Sequence, residues 1–88
     1  MTDATAPPEF VAVQAWIAQK VAGYVERDPS DIDPDVDLVT YGMDSLRALT
    51  LSANIEDEYD LEMDPQIAWR HRTVNGIARV VLDGLADR

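Results

Sequence analysis

The chain has 88 residues, which is enough for one small domain with a modest core and too few for a deep cleft between domains. It contains no cysteine, which excludes disulfides, zinc–thiolate sites and cysteine nucleophiles. Any thiol that the protein uses must therefore come from another molecule. Seventeen acidic residues against seven Lys and Arg give a net charge of −10. This excess makes nucleic acid and anionic membranes poor partners and favours basic protein surfaces.

No apolar run approaches the ~18 residues that a membrane span needs. The N-terminal segment also lacks the basic start and apolar run of a signal peptide. We therefore expect a monomer in the cytoplasm. Residues 1–8 are small, polar and proline-rich, and we predict a disordered tail ahead of a domain over residues 9–86.

The first helix is predicted over residues 9–26, because apolar residues recur there at spacings of three and four. They are Phe10, Val13, Ile17, Val21 and Tyr24. The helix must end before Pro29, which disfavours helical geometry at the preceding residue. Residues 27–43 are predicted to form a long loop without regular structure, a feature that is uncommon in a small domain and often functional. Four apolar residues are expected to hold it against the core: Ile32, Val36, Leu38 and Tyr41.

The loop also carries alternating acids at Asp31, Asp33, Asp35 and Asp37. A calcium-binding loop starting at Asp31 would need glycine at its sixth position and glutamate at its twelfth. Val36 and Gly42 hold those positions. We therefore interpret this run as a solvated acidic loop and predict no metal site.

The second helix is predicted from about Asp44 to about Asp60, and either Asp44 or Ser45 could cap its start. It carries two apolar stripes, one of Leu51, Ile55 and Tyr59 and an adjacent one of Leu46, Leu49 and Ala53. A short third helix is predicted over residues 66–69. A fourth follows over residues 74–86, with Thr73 as its N-cap. The expected fold is all-α: a small four-helix bundle of three longer helices and one short one, with a long loop between helices one and two.

One motif stands out at the start of the second helix: Gly42-Met43-Asp44-Ser45-Leu46. On the residues alone, Asp44 and Ser45 could be no more than a capping pair. A serine hydrolase is a poor alternative, because His71 lies 26 positions from Ser45 and no third, orienting residue is evident. A helix start does suit a phosphate ester, since its backbone N–H groups and its dipole favour negative charge.

The motif resembles the attachment site of the phosphopantetheine-binding carrier proteins, which comprise acyl, peptidyl and aryl carriers. The resemblance extends over about residues 10–85 and includes three further stretches: residues 32–42, residues 55–59 and residues 69–74. It implies a protein that is not an enzyme. Coenzyme A and a phosphopantetheinyl transferase, which uses Mg²⁺, would place 4′-phosphopantetheine on Ser45, with Gly42 and Asp44 beside it. Acyl groups would then be held as thioesters on the arm.

The resemblance also implies a docking surface for the transferase and for acyl-loading and condensing enzymes. Its expected residues are Leu46, Arg47, Leu49, Ala53, Glu56 and Asp57. Burial of Leu49 in the core is the alternative. At the residue before Thr73 the family usually has proline, so Arg72 predicts a less fixed turn into the last helix.

The subclass stays open between two kinds of carrier. The first hypothesis is a carrier for polyketide or specialised fatty-acyl biosynthesis in secondary metabolism. Arg47 favours an aryl or peptidyl carrier of nonribosomal peptide synthesis, because many fatty-acid carriers have an acid at this position. An alternative from another class is an acidic helical interaction module without a covalent cofactor.

Overall fold

The computed structural model describes residues 8–87 and forms a bundle of four α-helices. Helix α1 spans Pro8–Val25, α2 spans Ser45–Tyr59, α3 spans Ile67–His71 and α4 spans Val74–Ala86. The predicted bounds agree to within a residue or two, and the all-α fold class is confirmed. The predicted disordered tail lies outside the described residues except for Pro8. This residue begins α1, where a proline is tolerated because its missing N–H has no helical partner. None of the described helices is long and apolar enough to cross a membrane.

The core lies between α1 and α4 and is covered by α2 and α3. The predicted stripe on α1 faces inward: Val13, Ile17 and Val21 are buried, and the residues at its two ends are partly buried. Helix α4 contributes a matching set, Val74, Ile77, Ala78 and Val81. The period of three and four therefore gave the correct inner face for α1.

The predicted long loop between α1 and α2 is present, but it is not without regular structure, because two short 3₁₀ helices form within it. They span Pro29–Asp31 and Leu38–Tyr41, and an aspartate caps each one. Asp28 accepts the backbone N–H of Ser30, and Asp37 accepts that of Val39. The expected anchoring was correct: Ile32 and Leu38 are buried, while Val36 and Tyr41 are partly buried.

The turn from α3 into α4 is tied down by Arg72, contrary to the looser turn that this residue predicted. Arg72 has a left-handed backbone with φ of 44°, which the fixed φ of proline could not adopt. Its guanidinium lies 2.7 Å from the Asp37 carboxylate, and its carbonyl accepts the Leu38 N–H at 2.7 Å. The long loop is thereby fastened to the start of α4.

Gly76 in the first turn of α4 allows a close approach between helices. A Cβ atom at this position would lie 2.5 Å from the carbonyl oxygen of His71. Thr73 caps the helix as predicted, since its hydroxyl accepts the Gly76 N–H at 3.0 Å. The glycine that weakens α4 in isolation is therefore required by the packing of α3 against it.

Candidate modification site

Asp44 caps α2, and this leaves Ser45 as the first residue of the helix. The Asp44 backbone is extended, and one carboxylate oxygen accepts the Arg47 N–H at 2.8 Å. Of the two caps that the sequence allowed, the structure uses Asp44 alone. The Ser45 side chain is exposed, and its hydroxyl forms no hydrogen bond within residues 8–87. It is therefore available to a reagent from solution.

Gly42 sets the direction from which the chain enters α2. It ends the second 3₁₀ helix with a φ of 97°, a left-handed value that favours glycine, and its N–H donates to the carbonyls of Leu38 and Val39. An added Cβ would meet nothing within 4 Å, so the backbone here is open to an approaching molecule. Met43 is buried immediately afterwards. The left-handed turn at Gly42 and the buried Met43 thus place Asp44 and Ser45 on the surface.

Charged and polar groups around Ser45 are well defined. The second oxygen of Asp44 pairs with the Arg47 guanidinium at 2.7 Å. The Arg47 N–H, and to a smaller degree its charge, hold the pKa of the Asp44 carboxyl below its ordinary value of 3.8. The backbone N–H groups of Ser45 and Leu46 have no acceptor among the described residues. A phosphate ester on Ser45 would meet these unpaired donors and the positive end of the α2 dipole.

The two apolar stripes of α2 face different surroundings. Leu51 and Ile55 are fully buried, and Tyr59 packs edge-on against Trp16. In the other stripe Leu46 is 73% exposed and Leu49 is 50% exposed, and Ala53 is exposed too. The alternative that Leu49 belongs to the core was therefore wrong.

The charged residues expected at the docking surface differ in their surroundings. Asp57 and Glu56 are exposed, and one oxygen of Glu56 accepts the Met63 N–H at 2.8 Å. Arg47 is partly buried and directed toward α1, where its Nε–H donates to the Tyr24 carbonyl at 2.8 Å. Arg47 and Glu56 thus both form bonds within the molecule, although the Arg47 side chain is still 42% exposed.

Val39 is a surface residue that sequence reasoning missed. It is 48% exposed and lies on the 3₁₀ helix that ends at Gly42. Its neighbour Leu38 is buried. Successive residues on a 3₁₀ helix point about 120° apart, so burial of Leu38 leaves Val39 directed away from it.

The structure does not support the other chemistries considered from the sequence. His71 is exposed at the end of α3 and forms no hydrogen bond or ion pair with Ser45. Within residues 8–87, no group of three or more His, Cys, Asp or Glu side chains is arranged to hold a metal ion. The acids of the loop cap turns and bind neighbouring polar groups instead, as Asp28 and Asp37 do.

Residues 15–81 match the protein family described as the phosphopantetheine attachment site. Because this match covers most of the chain, the protein belongs to that family. It is a carrier protein, and the group carried by the family is 4′-phosphopantetheine, attached covalently. The residues at the start of α2 fit this group, since the Ser45 hydroxyl is exposed and free and the backbone at Gly42 is open.

Two curated relatives are polyketide synthases. The chain is 26% identical over 69 residues to polyketide synthase PksN of Bacillus subtilis (strain 168), covering 78% of this chain and 1% of that protein. It is 34% identical over 77 residues to the conidial yellow pigment biosynthesis polyketide synthase of Emericella nidulans, covering 88% of this chain and 3% of that protein. The chain thus spans only a few per cent of the length of these relatives.

Several solved structures of carrier proteins have the same fold. A free-standing peptidyl carrier protein from a secondary metabolic pathway of Acinetobacter baumannii superposes with a TM-score of 0.83 at 34% identity, over 86% of this chain and 95% of that one. The acyl carrier protein LipD from Actinoplanes friuliensis gives 0.72 at 31% identity, over 100% and 98% of the two chains. BlmI, a type II acyl carrier protein from Streptomyces verticillus, gives 0.79 at 26% identity, over 86% and 89%. The predicted resemblance is confirmed.

Proposed function

We propose that Ser45 is the residue that carries 4′-phosphopantetheine. A comparison of the three serines supports this assignment. The Ser30 hydroxyl donates to Asp28 at 2.8 Å, and the buried Ser52 hydroxyl donates to the Asp64 carbonyl at 3.2 Å. Ser45 alone combines an exposed side chain with a hydroxyl that has no partner among the described residues. It also lies in the Gly42–Leu46 motif and at a helix start that favours a phosphate.

In this proposal Ser45 accepts the group from coenzyme A on a phosphopantetheinyl transferase. The Ser45 oxygen forms a bond to the phosphorus that bears pantetheine, and the pyrophosphate bond to the nucleotide side breaks. Adenosine 3′,5′-bisphosphate leaves with the electron pair, and the serine proton passes to a base on the transferase, which also supplies Mg²⁺. The bound arm supplies the thiol that this chain lacks, so that acyl groups are held as thioesters.

We further propose that the chain serves polyketide or specialised fatty-acyl assembly in secondary metabolism. The polyketide synthases among the relatives support this assignment. The second candidate is a peptidyl or aryl carrier of nonribosomal synthesis, which is supported by the 34% identity to a free-standing peptidyl carrier protein and by Arg47. Loading assays distinguish the two functions. Loading by acyltransferases would favour the polyketide or fatty-acyl carrier, and loading by adenylating enzymes would favour the peptidyl or aryl carrier.

The enzymes that load and receive the arm are proposed to dock on one exposed surface of α2 and the preceding loop. It consists of Val39, Leu46, Leu49 and Ala53, and we name it the apolar docking surface. Asp57 and Glu56 supply negative charge on the same helix. A partner with an apolar pocket flanked by basic residues fits this surface, since charge steers the encounter and apolar contact supplies most of the affinity.

Intact-mass spectrometry tests the assignment of Ser45. Incubation with coenzyme A and a promiscuous transferase is expected to add one phosphopantetheine to the wild-type protein and to the controls Ser30→Ala and Ser52→Ala. Ser45→Ala is expected to add none and to keep its helical circular dichroism, because Asp44 still caps α2. Modification of Ser45→Ala would refute the assignment. An unmodified wild-type protein would favour an interaction module without a covalent cofactor.

A further inference from the structure

Arg47 connects the start of α2 to the end of α1. Its Nε–H donates to the Tyr24 carbonyl at 2.8 Å. Tyr24 lies in the last turn of α1, where backbone carbonyls have no helical N–H to accept. Of the neighbouring carbonyls, that of Ala22 accepts the Arg27 N–H at 2.9 Å. The guanidinium thus satisfies a terminal carbonyl and places a positive charge at the negative end of the α1 dipole.

The same guanidinium holds Asp44, the residue before Ser45. Its Nη1 lies 2.7 Å from one Asp44 oxygen, while the Arg47 backbone N–H donates to the other oxygen at 2.8 Å. Both carboxylate oxygens are therefore fixed by a single residue. A planar guanidinium can bond to two acceptors through different nitrogens at once, which a lysine ammonium does less well. Ser45 lies between Asp44 and Arg47, so its backbone position depends on the two bonds that join these residues.

We infer that Arg47 is a positioning residue for the modification of Ser45, acting through Asp44 and the end of α1 and not as a contact to the partner enzymes. The inference rests on the proposed function of Ser45. Asp44 caps the start of α2, and Arg47 connects Asp44 to the last turn of α1. Holding the Ser45 backbone at the start of α2 reduces the number of conformations from which its oxygen must reach the phosphorus, which lowers the barrier to the transfer.

The kinetics of modification distinguish positioning from docking. In transferase assays with the full chain, Arg47→Gln is expected to lower kcat roughly three- to tenfold, the effect of losing a charge-assisted hydrogen bond, with little change in KM for the carrier. Arg47→Lys keeps a positive charge near Asp44 but loses the Nε–H that donates to the Tyr24 carbonyl. Its kcat should therefore lie between that of the wild type and that of Arg47→Gln. The matched control is Arg70→Gln, which removes an exposed ion pair with Asp64 at 2.6 Å on another part of the surface. It should match the wild type.

Hydrogen exchange of the Arg47 amide gives a readout that does not depend on the transferase. This amide is protected by Asp44, so its exchange should be about five times faster in Arg47→Gln and unchanged in Arg70→Gln, since local opening depends on local contacts. Circular dichroism checks that each variant is folded at the assay temperature. If Arg47→Gln were unfolded, Arg47→Lys would carry the same test.

Three results would overturn the inference. One is a rise in KM at constant kcat, which would make Arg47 a docking contact. Another is an Arg47→Gln variant that behaves like Arg70→Gln in both assays. The third is faster amide exchange with an unchanged kcat. All three require a wild-type protein that is modified on Ser45, so they differ from a failure of the proposed function, in which the wild type itself accepts no group.

Discussion

Asp44 uses its two carboxylate oxygens for different bonds. One accepts the Arg47 N–H and caps α2, and the other pairs with the Arg47 guanidinium. Both bonds favour the charged form, and the N–H does so most strongly, so the pKa of Asp44 lies below its ordinary value of 3.8. A carboxyl whose pKa is lowered by folding stabilises the fold above its unfolded pKa. This stabilisation is lost as the pH falls through the folded-state pKa.

Asp44→Asn isolates this contribution, because asparagine also caps helices but does not titrate. The variant should melt at a lower temperature than the wild type at about pH 6, and the difference should shrink as the pH falls below the ordinary aspartate pKa of 3.8. Thermal melts by circular dichroism across this range give the comparison.

The control is Asp31→Asn, because the wild-type Asp31 carboxylate forms no ion pair or side-chain hydrogen bond in residues 8–87. It should raise the melting temperature at neutral pH by reducing general repulsion. A difference between Asp44→Asn and the wild type that persisted unchanged to low pH would contradict the assigned role of the ion pair.

For single residues, the sequence was sufficient to identify Ser45 but not to describe its surroundings. The motif contains both Asp44 and Ser45, and a local rule for helix caps predicted the place where α2 starts. The contact between Arg47 and Tyr24 joins residues 23 positions apart, and no local pattern encodes it. Arg47 was therefore assigned to the docking surface without its bonds to Tyr24 and Asp44.

Among the helices, α2 is the one whose two apolar stripes differ most clearly in exposure. Leu51 and Ile55 face the core, while Leu46 and Leu49 face outward on the same helix. A spacing rule separates the two stripes but cannot say which one is covered, because that depends on where α1, α3 and the loop lie. The buried stripe should control stability, and the exposed stripe should control the reaction with partner enzymes.

Leu46→Asp tests this division. Its stability should change by no more than about 0.5 kcal/mol, since the side chain is already exposed. Transferase modification and acyl loading should slow by roughly tenfold or more, as expected for the loss of an apolar contact at the centre of an interface. Thermal melts and mass-spectrometric time courses measure the two effects.

The opposite variant on the same helix is Leu51→Ala, which should cost about 2–5 kcal/mol and leave modification near the wild-type rate at temperatures where it is folded. Ala15→Asp, on the exposed side of α1, controls for the added charge. A large fall in the melting temperature of Leu46→Asp would refute the docking role of this stripe.

The long loop shows where sequence reasoning failed among the elements. Its anchors Ile32 and Leu38 were predicted from hydrophobicity alone. The 3₁₀ helices were not, because each is only three or four residues long and depends on a single capping aspartate. The ion pair between Asp37 and Arg72 joins residues 35 positions apart, so a reading of local pattern could not supply it.

At the scale of the whole molecule, charge is distributed unevenly. Thirteen acids and two bases lie between Glu26 and Asp64, and this stretch holds essentially all of the net charge of −10. The ion pairs Asp44–Arg47, Asp64–Arg70 and Asp37–Arg72 are all exposed. Exposed pairs contribute little, so repulsion among the remaining acids is the larger electrostatic effect.

The melting temperature should therefore rise with ionic strength. Between about 0.01 and about 0.1 M NaCl the screening length falls from ~30 to ~10 Å, and relief of about 1 kcal/mol of repulsion would raise the melting temperature by roughly 4–8 °C. MgCl₂ at the same ionic strength should act equally if screening alone is responsible.

The double variant Asp57→Asn/Glu58→Gln should melt higher at low salt and respond less to salt. A melting temperature that stayed flat or fell on adding salt would mean that the acids are already compensated locally.

The bonds that hold the loop between α1 and α2 affect the entropy cost of binding a partner. Asp37 and Arg72 join it to the start of α4, and Asn75 connects it to α1 by bonding both Asp35 and Gln14 at 2.6 Å. Ordering a free segment costs about 1–2 kcal/mol of entropy per residue. Here that cost is incurred when the chain folds. An enzyme that docks at Val39 as proposed would thus meet a surface already in place, and successive enzymes would each bind it without having to order the loop.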